Sequence, residues 1–213
     1  MILLTQLPSP VRPDPSLPKF ITMDENAKDI TGEIRESVAN GDSDRLKAIV
    51  EDFATYCFKE NPDGHSFNDE VFKFILETMV QPRFLDMKGA YHLLMLFEYD
   101  WAMLTPPQKE ELISAIERTY DKFADWMSCF VLVELLDQYY CDENAFQLLC
   151  RLKNSTQEIP RSLLPVGFEK LVQNASDLVL KNRSLLELKQ MMNDPSERVQ
   201  KEASESVIRL TSK

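Results

Sequence analysis

The sequence predicts an all-α fold: about ten amphipathic helices packed antiparallel in one stack, behind an extended Pro-rich N-terminal arm. Three observations predict it. Only five glycines occur in 213 residues, and Leu, Glu, Lys, Ala and Met dominate the periodic segments. Apolar positions recur at helical spacing through most of the chain, and no stretch alternates with period two, so no sheet is expected. Capping and stop signals recur at short intervals.

Residues 1–23 form the expected arm. Pro8, Pro10, Pro13, Pro15 and Pro18 remove backbone donors and fix φ, which favours extended, partly polyproline II chain. Leu17, Phe20 and Ile21 can pack it along the first helices. Residues 24–213 form a single helical domain. Its first helix runs from Asp24 to Ala39, with Ile30, Ile34 and Val38 on one face and Asn40-Gly41 as its stop. Ser43 or Asp44 caps the second, which places Leu46, Ile49, Val50, Phe53, Ala54 and Cys57 on one face. Asn61-Pro62-Asp63-Gly64 is a turn. Helices then follow over Phe67–Val80 and Phe84–Tyr99. The latter is apolar all round, as a covered central helix is.

Thr105-Pro106-Pro107-Gln108 joins a threonine cap, first-turn prolines and a glutamine three residues on. It opens a helix through Leu112, Ile113, Ile116 and Tyr120. Further helices are expected over Asp125–Tyr140, Asp142–Leu152, Pro160–Val172, Ser176–Met192 and Pro195–Leu210. At the last corner Asp194 is the expected cap, Pro195 the first helical residue and Glu197 the side chain reaching back.

That corner, with Val199, Ala203 and Leu210 beyond it, resembles a HEAT repeat across residues 185–210. The family's arginine after the valine is Gln200 here, with Arg198 before it. The resemblance implies a right-handed α-α superhelix, an armadillo-type solenoid. A shift of about 40 residues, a period typical of stacked two-helix units, lays Leu148, Leu152, Ile159 and Leu163 onto Leu188, Met192, Val199 and Ala203. Looser units run from Phe67 to Tyr99 and from Pro106 to Tyr140. The alternative is an irregular helical bundle with one repeat-like end.

The formal net charge is −11, with the acid concentrated before residue 158. Such a body repels phosphate backbones and attracts basic surfaces, so nucleic acid is not an expected partner. No apolar run approaches the ~18 residues that span a membrane, and the start of the chain lacks a signal-peptide pattern. A cytoplasmic protein is expected. Its four cysteines (Cys57, Cys129, Cys141, Cys150) are read as buried thiols.

Catalytic signatures are scarce. Neither His65 nor His92 has the spacing of a metal site, or the His-Glu pair of the HEAT-built deoxyhypusine hydroxylases. There is no Gly-rich phosphate loop. No cofactor or metal is expected. One constellation stands out. Phe97-Glu98-Tyr99-Asp100-Trp101 and Phe123-Ala124-Asp125-Trp126 each set an aspartate before a tryptophan, and Asp121, Asp137, Tyr139 and Tyr140 lie nearby. Carboxylates accept charge-assisted bonds from Arg and Lys, and Trp and Tyr are common interface anchors. Glu98, Asp100, Trp101, Asp121, Asp125, Trp126, Asp137, Tyr139 and Tyr140 are therefore the candidate partner-binding set. The competing role for the tryptophans is core, and for the aspartates helix capping.

The expected function is a non-enzymatic protein-binding module, monomeric or weakly dimeric, for a basic protein partner. By analogy of size, charge and architecture, one version is a bacterial immunity protein that neutralises a cationic toxin. Two alternatives stand beside it: an adaptor or assembly scaffold that uses the Pro-rich arm, and an enzyme or ligand carrier with a site in the concave groove, served by His92, Tyr91 or the Asp/Glu set.

Overall fold

In a computed structural model the described residues are 25–61, 64–138 and 140–212. The arm expected over residues 1–23 lies outside them. The described residues are helical as expected: eleven α-helices among them, with one two-stranded hairpin as the departure.

Helix α1 (Glu25–Asn40) buries Ile34 and Val38 and stops at Gly41. Gly41 has φ +68°, its N–H reaches Val38 O at 3.1 Å, and the Asp42 N–H reaches Ser37 O at 2.9 Å. That Schellman arrangement satisfies the last carbonyls and turns the chain into α2 (Ser43–Phe53). The cap of α2 is Asp42, not Ser43 or Asp44: its carboxylate accepts from the Arg45 N–H at 3.0 Å. Ser43 instead donates its hydroxyl to the carbonyl of Lys88.

The expected turn at 61–64 is flanked by strands. β1 (Phe58–Asn61) pairs antiparallel with β2 (Gly64–Phe67), with Phe58 opposite Phe67 and Asn61 opposite Gly64. Phe67, placed in a helix by sequence, ends β2 and is buried at 5.7 Å from the Phe97 ring. Helix α3 (Asp69–Met79) starts only after Asn68, whose side chain accepts from the Glu70 and Val71 N–H groups.

The long helix expected over Phe84–Tyr99 is two helices. α4 (Pro82–Leu85) ends, and α5 (Tyr91–Tyr99) begins after a turn through Gly89. Gly89 has φ +91°, and its N–H is held by Asp125 Oδ2 at 3.0 Å, so a contact 36 residues away breaks the helical run.

α6 (Pro106–Thr119) begins on the expected capping box: Gln108 Oε1 accepts the Thr105 N–H at 2.9 Å, and Thr105 Oγ1 accepts the Gln108 N–H. α7 (Trp126–Gln138), α8 (Glu143–Leu152), α9 (Glu158–Asn174), α10 (Leu178–Met191) and α11 (Glu197–Thr211) follow. The cap of α11 is Ser196, whose hydroxyl accepts from Val199 N–H at 3.3 Å. Asp194 is occupied otherwise. Its carboxylate binds both Arg161 Nε and Nη2 at 3.0 Å and accepts the Ser196 N–H at 2.9 Å.

α5 packs on α7, α7 on α9 and α9 on α11, while α8 packs on α10. α9 is central, touching α7, α8, α10 and α11. Gly167 permits this approach, since a Cβ there would meet Leu149 and Val133 at 3.0–3.2 Å. Ion pairs and hydrogen bonds tie residues one helical hairpin apart: Glu117 to Arg151, Glu134 to Lys170, Glu169 to Arg209, and Tyr120 Oη to the Pro160 carbonyl. One apolar cluster runs from Ile34 to Ala203, and each buried Leu or Phe in it contributes about 1.5–3 kcal/mol. No helix among the described residues is long and apolar enough to cross a membrane.

Candidate interaction surface

Among the described residues, grooves open on two parts of this stack. The first lies between α6 and α8. Gln108 anchors the start of α6 by donating to Asp69 Oδ1 at 2.9 Å, and Asp142 caps α8 by accepting from the Asn144 and Ala145 N–H groups. With both helices held, Glu110, Ile113, Glu117, Tyr140 and Gln147 line a space of about 450 Å³. It continues into a recess of about 250 Å³ beside Asp121 and Leu152. Glu117 and Arg151 belong to both spaces and are joined by two bonds, at 2.5 and 3.2 Å. Both side chains are about half exposed, so this bridge adds little stability and is open to exchange with an incoming cation.

Of the sequence-derived set, Asp121 and Tyr140 line this groove. Trp101 supports it from beneath. Its ring meets Tyr140 edge-on at 6.1 Å, and it is itself buried, with Lys109 Nζ 5.2 Å from its centroid. Burial removes Trp101 as a surface anchor. Asp125 is also buried and structural: it accepts from Gly89 N–H, Met127 N–H at 3.2 Å and the Ser128 hydroxyl at 3.3 Å. Trp126 beside it is half exposed, at the start of α7. Glu98 stands apart on α5. Burial pushes its carboxyl up, the charge of Glu134 adds to this, and Lys170 opposes it. Burial likewise pushes Asp100 up. The Asp137 side chain and Tyr139 lie outside the described residues. The structure therefore collects two surface residues and one supporting tryptophan, not a single nine-residue face.

Glu110, Glu117 and Arg151 complete the groove and were not singled out from sequence. On a helical wheel they read as solvated charges. The available signal was the opposite signs of Glu117 and Arg151, 34 residues apart, close to one two-helix unit.

The second groove, of about 520 Å³, lies between α2 and α5. Val50, Ala54, Met95 and Leu96 give it an apolar floor, Tyr91 and Tyr99 stand along α5, and Lys47 and Glu51 line it from α2. Tyr99 is 69% exposed, which is unusual for a tyrosine at an apolar recess. His92 is here too, its ring 4.1 Å from that of Tyr91. Burial lowers its pKa, Lys47 lowers it further, and Asp125, Asp44 and Glu51 pull the other way, so the imidazole is neutral at pH 7.

Cys57 and Cys129 are buried, as expected, and Cys141 and Cys150 are partly covered. Burial and then Asp125 and Asp121 leave the Cys129 thiol pushed up to about 12, the protonated and unreactive form. Among the described residues no group of three or more His, Cys, Asp or Glu side chains is placed to hold a metal ion.

Comparison with protein-family profiles, with curated proteins and with solved structures gives no match.

Proposed function

We propose that this chain is a non-enzymatic binding module that holds a basic protein through the α6–α8 groove. The observation that carries the reading is the grouping of Glu110 and Glu117 with Tyr140 in the groove and of Asp121 in the adjoining recess, on a chain of net charge −11. A partner's Arg or Lys would displace Arg151 from Glu117, pair with these carboxylates and lay its alkyl stem on Tyr140. The surrounding negative field would speed encounter with a cationic surface. An inhibitor of the immunity type, acting in the cytoplasm as a monomer or weak dimer, fits that chemistry.

The scaffold proposed for this task is a HEAT-like right-handed superhelix. Two features support it: alternate helices pack in series, and ties recur between residues 33 to 40 apart. The Arg161–Asp194 pair is a cross-corner bridge of the kind such stacks use, supplied here from α9 and not from position 200.

Affinity purification from the native host, in parallel with the double variant Glu110→Lys and Asp121→Lys, tests the function. A basic protein retained by the wild type at low salt, released at high salt and missing from the variant is the expected result. Equal retention by both proteins, or a retained partner that is acidic, refutes it.

A further inference from the structure

Helix α10 stands last in its row. Ion pairs tie α6 to α8 through Glu117–Arg151, and α8 to α10 through Glu143–Arg183 and Lys153–Glu187. Among the described residues no further helix continues the row. α10 packs on α8, α9 and α11 and buries Leu180, Ser184, Leu188 and Met191. Its opposite face carries Leu178, Val179, Asn182, Leu186 and Lys189, which fall within about 100° of the helix circumference. The three apolar residues there are bare: Leu178 is 69% exposed, Val179 62% and Leu186 57%. Single exposed apolar residues are ordinary, but three on one helix face mark a surface that another element covers.

We infer that α10 is a self-association surface, on which two copies of the chain pair their α10 helices antiparallel about a dyad at Asn182. The register is self-complementary. Residues equally far before and after Asn182 face each other, so Leu178 meets the partner's Leu186 and Val179 meets the partner's Leu185. Asn182 meets its own counterpart, and each amide can donate to the other and accept from it. Charge selects the direction. Lys189 is exposed in the last turn of α10 and has no ion pair among the described residues. Antiparallel pairing carries it to the start of the partner's α10. Asp177 is exposed there, with Oδ1 accepting the Val179 N–H at 2.9 Å and Oδ2 left for a cation. Parallel pairing would instead set Lys189 against Lys189 and align the two helix dipoles. The patch is well under the ~20–30 residues a side of a stable interface, so the dimer is weak and forms at high concentration.

Disulfide trapping in the full chain tests this. At 8–10 Å between helix axes, facing Cα atoms come within about 5 Å, the reach of a disulfide. Asn182→Cys should therefore give a dimer linked 182 to 182, at least about tenfold faster than the wild type, whose Cys141 and Cys150 are partly covered. Gln190→Cys, exposed on the same helix, is the control: the two copies lie about 24 Å apart in the antiparallel pair and should not link. Adding Leu186→Glu to Asn182→Cys should slow linking about tenfold, and adding Lys189→Glu about threefold. In sedimentation equilibrium of the wild type, from about 10 μM to 1 mM, the mean mass should rise from one chain toward two. No linking at 182, linking at 190 as fast as at 182, or a rate indifferent to Leu186→Glu overturns the inference. The sedimentation involves no substitution, so a single-chain mass at every concentration overturns it whatever the variants do.

Discussion

Asp125 decides between two roles, surface anchor or internal strut, and Asp125→Ala separates them. The carboxylate caps the first turn of α7 through Met127 N–H and Ser128 and holds the buried N–H of Gly89 at 3.0 Å. Losing the cap costs about 1 kcal/mol. Leaving the Gly89 N–H unpaired inside the protein costs about 1–3 kcal/mol more. The variant should therefore lose about 2–4 kcal/mol, and a 3 kcal/mol loss lowers Tm by roughly 6–12 °C in a chain of this size. Asp125→Asn keeps one acceptor oxygen and should lose about half as much. Urea unfolding followed by circular dichroism gives the numbers, with an unchanged slope showing that the same two states are compared. A loss below about 0.5 kcal/mol, well under the cost of an unpaired buried donor, would refute the strut role. So would loss of partner binding at unchanged stability.

Three other outcomes follow from the same contacts. Gly89→Ala should cost about 1–3 kcal/mol in urea unfolding, because φ is +91° and the new Cβ would lie 3.0 Å from Ser43 Cβ. Glu98→Gln should raise Tm at pH 7. Burial, and then Glu134, raise the folded pKa of Glu98 above its unfolded value, so its favourable contribution is complete below about pH 4 and is lost as pH rises through the folded value. The gain of the variant should vanish in melts at pH 3.5. Asp194→Asn should cost about 1–3 kcal/mol at pH 7, because charge-assisted bonds from Arg161 are lost. Burial pushes Asp194 up, but the Arg161 and Ser196 bonds outweigh it and the net pKa is lowered. Its contribution is therefore present above about pH 4 and fades as pH falls through the depressed folded value, so the gap between wild type and variant should close in acid.

Local signals were legible where one turn of chain contains both partners. The Thr105–Gln108 box and the Gly41 stop needed only neighbouring residues, and both formed as expected. Signals that depend on distant residues were not legible. The helical reading from Phe84 to Tyr99 ran through Gly89, a glycine that takes positive φ as Gly41 does, and the Asp125 carboxylate that holds its N–H lies far along the chain. At the last corner Asp194 and Ser196 were both competent caps, and Arg161 decided the choice by capturing Asp194. The hairpin strands, four residues each, were too short for alternation to register. The α6–α8 groove was half legible: Asp121 and Tyr140 were singled out, but exposure, which separates Tyr140 from Trp101, is a property of packing.

The most direct measurement is hydrogen exchange on the chain with and without a basic protein captured from the native host at low salt. Protection should concentrate on Pro106–Thr119 and Glu143–Leu152, the two walls of the acidic groove. Protection confined to other helices, with those two unchanged, would contradict the account.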